Sequence, residues 1–374
     1  MAIEAPVNSA DIPFRMASDN SSFYTLHDEQ VRSSVTAAPR RNSPFGRADL
    51  GGRMRVARIL QTAGVEPSEP PMRIAGSTNE VWRAGQYIIR VGFQTGAERL
   101  RREARLATLL PREARYPEVV ASGVESFGEW IVVRHREGVP LSQAWGTLST
   151  DQRRAVTFEL AAVMKALHSV HLVSDDEQDL EFHEGTGELA LPHQLPARRV
   201  LELLEQARWM HGMDRHLIDD VIARTTSLPE GIFGHKRNGL VHGDLHFENV
   251  LVHNASISSV LDFEWSRPAP REIDLDVLAR FCFDPAMHIG GSYRVNAADF
   301  KDVLKWLYAV YPELFEVDNF RDRLFLCALS FDLPWLLRMP PDGPTSSLPK
   351  WHPLNQIRDL MVLGTHVERL GWGA

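Results

Sequence analysis

His242, Gly243, Asp244, Leu245, His246, Phe247, Glu248 and Asn249 form one run of the chain, and Asp262-Phe263-Glu264 begins thirteen residues after Asn249. An Asp, an Asn and a second Asp at this spacing suit phosphoryl transfer. Asp244 can take or orient a hydroxyl proton, while Asn249 and Asp262 can hold magnesium against the phosphates of a nucleotide. A carboxylate and an amide oxygen match that hard cation, which keeps several waters and shares its shell with phosphate oxygens. The reaction asks the protein for positioning and charge neutralisation more than for covalent work.

The flanking residues predict how the three side chains meet. Leu240-Val241 is a short apolar run before the motif. Val250-Leu251-Val252 follows it, then Asn254-Ala255-Ser256 as a turn signal, then Val260-Leu261. This predicts a β-hairpin with Asn249 at its start and Asp262 at its end. Gly243 suits a sharp bend. Two blander readings compete. Asp, Asn and Gly are ordinary turn formers. His242 and His246, four apart, would suggest zinc on a helix, but Gly243 and Asp244 between them predict a loop, and no third ligand is evident.

The stretch resembles the catalytic loop and metal segment of the aminoglycoside phosphotransferase family, small-molecule kinases related to protein kinases. The family's loop reads His-Gly-Asp, four residues, Asn. Its metal segment begins Asp-Phe-Glu or similar, with an Asp-Leu twelve residues on, where this chain has Asp274-Leu275. The chain departs just before, with Pro270-Arg271 in place of the family's usual Asp-Pro. The resemblance implies an α+β, two-lobed, protein-kinase-like fold: a small N-lobe with an antiparallel sheet and one helix, and a larger, mostly helical C-lobe. It implies Asp244 as the catalytic residue, Asn249 and Asp262 as ligands of Mg2+, ATP or GTP as donor, and His242 as a brace of the loop.

A nucleotide-gripping lobe should then lie upstream. Gly76-Ser77-Thr78-Asn79 precedes Val81-Trp82, and Gly85-Gln86 turns the chain into Tyr87-Ile88-Ile89-Arg90-Val91. This reads as strand, turn, strand, with Ser77, Thr78 and Asn79 over the phosphates. As a glycine loop it is sparse, and a plain hairpin approach is the competing reading. Arg90 is a cation in the middle of an apolar strand, costly unless paired. In protein kinases a Lys on this strand grips phosphates and pairs with a helix Glu. Arg keeps the charge and binds phosphate or carboxylate in a bidentate way. Residues 97–110 predict a helix whose apolar face carries Leu100, Ala104, Ala107, Leu110 and also Glu103, with Glu98 nearly opposite. Glu103 is therefore the expected partner of Arg90. A surface salt bridge is the blander reading, and Arg99, Arg101, Arg102 and Arg105 read as a solvated face. Trp130-Ile131-Val132-Val133 predicts a strand. By resemblance, the backbone of Arg134 and Arg136 just after it would meet the adenine edge.

The 374 residues are 44% hydrophobic and 24% charged, an ordinary globular composition. A net charge of -8 speaks against a general nucleic-acid partner. Two cysteines, Cys282 and Cys327, make no disulfide framework, and no signal peptide is seen, so a cytoplasmic location is expected. The most apolar stretch, Leu324 to Leu337, is too short and interrupted to span a bilayer and predicts a buried helix. Residues 1–51 read as a flexible or wrapping extension, 52–137 as the nucleotide-binding N-lobe and 138–374 as the catalytic and acceptor-binding C-lobe. Helices are predicted from near Arg53, over 152–169, 303–311 and 321–337, and near 354–370. The acidic run Asp175, Asp176, Glu177, Asp179, Glu181, Glu184 and Glu188 would attract an amine-bearing acceptor if it lines the cleft; a solvated loop is the alternative. The expected reaction moves a γ-phosphoryl group to a small-molecule hydroxyl, first choice an antibiotic such as an aminoglycoside. A metabolite kinase of choline, homoserine or sugar type, or a non-catalytic pseudokinase-like nucleotide binder, are the alternatives.

Overall fold

The computed structural model of the chain describes residues 45–74, 79–92, 99–172, 193–232, 239–289 and 296–372. Ser77, Thr78, Glu98, the acidic run 175–188 and residues 1–44 of the expected extension lie outside them.

Five antiparallel strands make the first sheet: β1 (Met72–Ile74), β2 (Asn79–Ala84), β3 (Tyr87–Gly92), β4 (Val119–Glu125) and β5 (Gly128–Arg134), in the order β1-β2-β3-β5-β4. The period of two along β3 and β5 divides their side chains between two covered faces. Ile89, Val91, Trp130 and Val132 pack under helix α1 (Phe45–Thr62) through Val56, Ile59 and Leu60. Ile131 and Val133 pack under helix α2 (Arg99–Ala107) through Leu100 and Ala104. Burial on both faces explains why β5 reads as an unbroken apolar run.

Helix α1 starts at Phe45, eight residues before the expected start near Arg53, so it takes in residues 45–51 of the expected flexible or wrapping extension. Gly51-Gly52 hid this by local propensity. Packing explains it: a Cβ on Gly52 would come within 2.5 Å of the Trp82 ring, so the helix needs glycine there to approach the sheet. The N-terminus of α2 is held by Glu129 of β5, which accepts from Leu100 N at 3.0 Å and Arg101 N at 3.1 Å.

The rest is mostly helical: α3 (Leu141–Trp145), α4 (Thr150–His168), α5 (Ala197–Arg208), α6 (Arg215–Thr226), α7 (Glu272–Phe283), α8 (Val303–Val310), α9 (Phe320–Arg338), α10 (Pro353–Leu363) and α11 (His366–Arg369). Helix α4 begins two residues before the expected Gln152, because Ser149 and Gln152 form a reciprocal capping box. Helices α5 and α6 were not foreseen; they pack with α9 and α10 around Leu203, Leu204, Ile218, Leu329, Leu333 and Ile357. Helix α9 matches the buried helix expected from the apolar stretch, and no described helix is long and apolar enough to cross a membrane. The single helix expected near 354–370 is two: Gly364 takes φ 84°, which ends α10, and Thr365 caps α11.

Short strands complete the frame: β6 (Val139–Pro140), β7 (Leu240–Val241), β8 (Val250–His253), β9 (Ser256–Val260) and β10 (Arg267–Pro268). They pair as β6-β8-β9 and β10-β7. Since β7 and β10 lie side by side, residues 242–266 form a loop whose two ends are tied by a ladder.

Candidate active site

That tied loop carries the three predicted side chains. From β7 the chain enters 242–246, turns through Phe247–Asn249, runs up and down the β8–β9 hairpin, and returns through Asp262 and the turn Phe263–Trp265 to β10. The amide of Leu261 donates to Asn249 O at 2.8 Å, so the two ends of the hairpin are adjacent, as expected.

Gly243 takes φ 82°, and a Cβ there would come within 2.5 Å of Trp265 O. Only glycine lets the 242–249 loop turn this close to residues 262–266. Asp274, in the first turn of α7, holds the loop from behind. It accepts from His242 N at 2.9 Å and Gly243 N at 2.8 Å, and its Oδ2 lies 3.1 Å from His168 Nε2. Burial alone would raise this carboxyl, but His168 and His242 and the amide bond lower it below its ordinary value, so it stays ionised. His242 Nε2 donates to Leu261 O at 2.8 Å while its Nδ1 accepts from Asp244 N at 3.3 Å. One neutral tautomer satisfies both bonds, so His242 braces the loop. Among the described residues no three His, Cys, Asp or Glu side chains gather as a metal site.

Asp244 is partly exposed, with Oδ1 3.4 Å from His246 Nε2 and Oδ2 accepting from Asn249 Nδ2 at 3.2 Å. Burial pushes its carboxyl up, but His246, His242 and His288 outweigh that and lower it below the usual range. The same pair raises His246. Asp244 is thus an anion at neutral pH. Asn249 Nδ2 also donates to Asp244 O at 2.8 Å, so its amide nitrogen faces the catalytic loop and its oxygen is the atom left for a cation.

Asp262 adopts φ 64° and ψ 60°, a left-handed conformation that side chains other than glycine seldom take. Its Oδ1 accepts from Arg90 Nη2 at 2.7 Å, and its side chain remains 32% exposed. A guanidinium on this oxygen shows that the position attracts a cation. One carboxylate and one amide oxygen at the edge of a partly open site fit magnesium.

Arg90 sits where the sequence placed it, on the α2 face of β3, and its Nη1 donates to both oxygens of Glu103 at 2.8 and 2.7 Å. Glu103 is buried and also accepts from Tyr116 OH at 2.8 Å and Phe263 N at 3.2 Å. Glu264 joins the group, 3.6 Å from Arg90. One guanidinium thus faces three carboxylates. Burial would lower the Arg90 pKa, but the acids raise it well above its ordinary value. The crowding of acids is relieved by protonation: burial raises Glu103, and burial with Asp262 pushes Glu264 up to about 8, so Glu264 holds a proton at neutral pH.

Other placements correct the sequence reading. Asn79 opens β2 and is buried; its amide donates to Glu264 at 3.4 Å and is not presented to a phosphate from a loop. Arg134 ends β5, and its N–H donates to Glu118 O at 2.9 Å, so only its carbonyl is left for a base edge. Arg136 lies in the exposed linker after β5 and lines a cavity of about 800 Å³ beside the 107–119 connection and β9. Arg102, read as solvated, is buried. Tyr116 and Glu264 were missed as site residues. Glu264 had a signal, two positions after Asp262; Tyr116 had none.

The profile of the phosphotransferase enzyme family matches residues 73–310. The chain belongs to this family. Among solved structures, aminoglycoside phosphotransferase APH(2'')-Ib with ADP bound is similar at a TM-score of 0.53 and 15% identity, over 83% of this chain and 97% of that one. A thermostable mutant of aminoglycoside phosphotransferase APH(4)-Ia, in a complex with ADP and hygromycin B, is similar at 0.52 and 17%, over 85% and 99%. The GDP complex of a mutant aminoglycoside 2'-phosphotransferase-IIIa gives 0.55 and 15%, over 85% and 96%. No curated protein matches the chain. The fold of this phosphotransferase is therefore protein-kinase-like and α+β, as its motif implied.

Proposed function

We propose that this small-molecule phosphotransferase moves the γ-phosphoryl group of a nucleoside triphosphate to an acceptor hydroxyl, with Asp244 as the catalytic residue and Asn249 and Asp262 as the magnesium ligands. The observation that carries this reading is the meeting of the Asp244–Asn249 pair with Asp262 and Arg90 across the base of one hairpin. Magnesium, when bound, would neutralise charge on the donor phosphates. Asp244 accepts the hydroxyl proton, the hydroxyl oxygen forms its bond to the γ-phosphorus, and the bond from that phosphorus to the bridging oxygen breaks, releasing a nucleoside diphosphate. Arg90, held by Glu103, steadies the donor phosphates. Ser77 and Thr78 precede β2 in the chain and would cover the phosphates, and the linker with Arg134 and Arg136 would meet the base.

The first-choice acceptor is an antibiotic such as an aminoglycoside. The similar structures include complexes with hygromycin B, streptomycin and gentamicin, and the acidic run 175–188 would favour a polycation. ADP, ATP and GDP in those structures leave both ATP and GTP as donors to test.

Nucleoside diphosphate release should be measured over aminoglycosides, other hydroxylated antibiotics, choline, homoserine and sugars. At least one acceptor should stimulate release. Asp244→Ala should then lower kcat by about 10³-fold or more while magnesium-dependent nucleotide binding survives. Turnover at the wild-type rate in that variant refutes the role of Asp244.

A further inference from the structure

Three successive carbonyls of the metal segment end on buried guanidinium groups. Arg102 Nη1 donates to Glu264 O at 2.9 Å and its Nη2 to Ser266 O. Arg267 Nη1 donates to Trp265 O at 2.8 Å, and its Nε to Gln194 Oε1 at 2.6 Å. Arg102 comes from α2 and Arg267 opens β10, so the clamp closes on residues 264–266 from two elements.

This arrangement is costly. Arg102 is 8% exposed and Arg267 3%. Burial lowers Arg102 to about 10, against the pull of Glu103 and Glu264. Burial and the repulsion of Arg102 lower Arg267 to about 9. Both remain cations at neutral pH. Two buried like charges destabilise a fold unless they hold something, and an apolar side chain would fill either space without that cost. What they hold is a strained segment. Asp262 is left-handed, and such a conformation persists only where its surroundings over-determine it. Glu103, next to Arg102 on α2, fixes the other side of the segment through Phe263 N. Arg267 Nη1 also sits 2.9 Å from where a Cβ on Gly243 would be, so the same guanidinium backs the catalytic loop.

We propose that Arg102 and Arg267 are positioning residues that clamp the backbone of residues 264–266, so that Asp262 stays aimed at the cation it shares with Asn249. The inference rests on the magnesium assignment proposed above. It makes α2 the holder of both the phosphate-gripping pair and the metal segment. It predicts that the cation affinity of this enzyme is set partly by an arginine that touches neither metal nor nucleotide.

Arg102→Gln in the full chain tests it with three measurements. Amide hydrogen exchange over 262–267, without metal, should be about tenfold faster or more than in the wild type. The magnesium concentration for half-maximal nucleotide binding, read by calorimetry, should rise by about 10-fold, the usual effect of removing a residue that orients a ligand. Nucleotide affinity without magnesium should stay within about twofold. Arg102→Lys keeps the charge but on a single nitrogen in place of the fork, and should recover part of both losses. Wild-type exchange and wild-type magnesium demand in Arg102→Gln overturn the clamp. If the Gln variant does not fold, Arg102→Lys decides by the same two readings. A wild-type protein whose nucleotide affinity ignores magnesium refutes the metal assignment, while the metal-free exchange comparison still judges the clamp.

Discussion

Arg90 is the residue on which the site's electrostatics turn. It is the cation beside Glu103, Asp262 and Glu264, at 2.7 Å from the first two and 3.6 Å from the third. Removing one partner of a buried charge group leaves the others uncompensated, which costs about 3–5 kcal/mol. Arg90→Met should therefore lose stability of that order in urea unfolding, as well as weakening nucleotide binding. Arg90→Lys should lose less stability but cannot span Glu103 and Asp262 with a fork of donors. A Met variant as stable as the wild type would show that the three acids are neutral in the folded protein. The pairing with Glu103 was legible in the sequence, because a cation on an apolar strand and an acid on an apolar helix face each demand a partner. The contact with Asp262 was not, since 172 residues separate the two.

At the scale of elements, the β8–β9 hairpin sets the distance between Asn249 and Asp262. Its two-residue turn places Asn254 at φ 51° and Ala255 at φ 57°, both left-handed, as the favoured tight hairpin turn requires. Asn tolerates this conformation and Ala does not, so Ala255→Gly should stabilise the protein by about 0.5–1 kcal/mol in urea unfolding without changing kcat. A loss of stability there would show that the Ala255 methyl makes contacts worth more than its strain. The turn could be read from sequence by its Asn; the strain at Ala255 could not. Helices α5 and α6 escaped the sequence reading for another reason. Their apolar residues match α9 and α10, more than a hundred positions away, so no local pattern reports the partner.

For the whole molecule, histidines set the response to acid. Burial lowers His193 and His366, and lowers His288 to about 3; His135 and His352 are lowered too. In the unfolded chain these rings take protons below about pH 6.5, while the folded copies stay neutral. The unfolded state then binds more protons, so stability falls as pH drops. His246 has the opposite sign: raised by Asp244 against burial, it stabilises fully below about 6.5 and loses its contribution as pH rises through its folded value. Asp276, which burial alone would raise, is held down to about 2 by Arg280 and His193, so its contribution is lost only below about pH 4. Between pH 7.5 and 5.5 the lowered rings make Tm fall, and Glu103, Glu264 and Asp332, all raised by burial, offset part of that fall. His366 is buried, its Nδ1 has no hydrogen-bond partner among the described residues, and it lies 4.0 Å from Asp276 Oδ1. His366→Gln should flatten that fall, and an equal slope in the variant would show that this ring is already protonated when folded.

Spacing along the chain determined the 242–249 loop, the hairpin, the Asp262 segment after it and the Arg90–Glu103 pair, because each depends on residues close together or on the parity of a strand and the face of a helix. Tertiary packing decided the rest. It turned Asn79 onto Glu264, occupied the Arg134 amide with Glu118, and buried Arg102 against carbonyls 162 and 164 residues away. Periodicity reports which side of an element avoids water. It does not report which distant backbone comes to meet that side, and a buried arginine looks like a solvated one until the partner is in place.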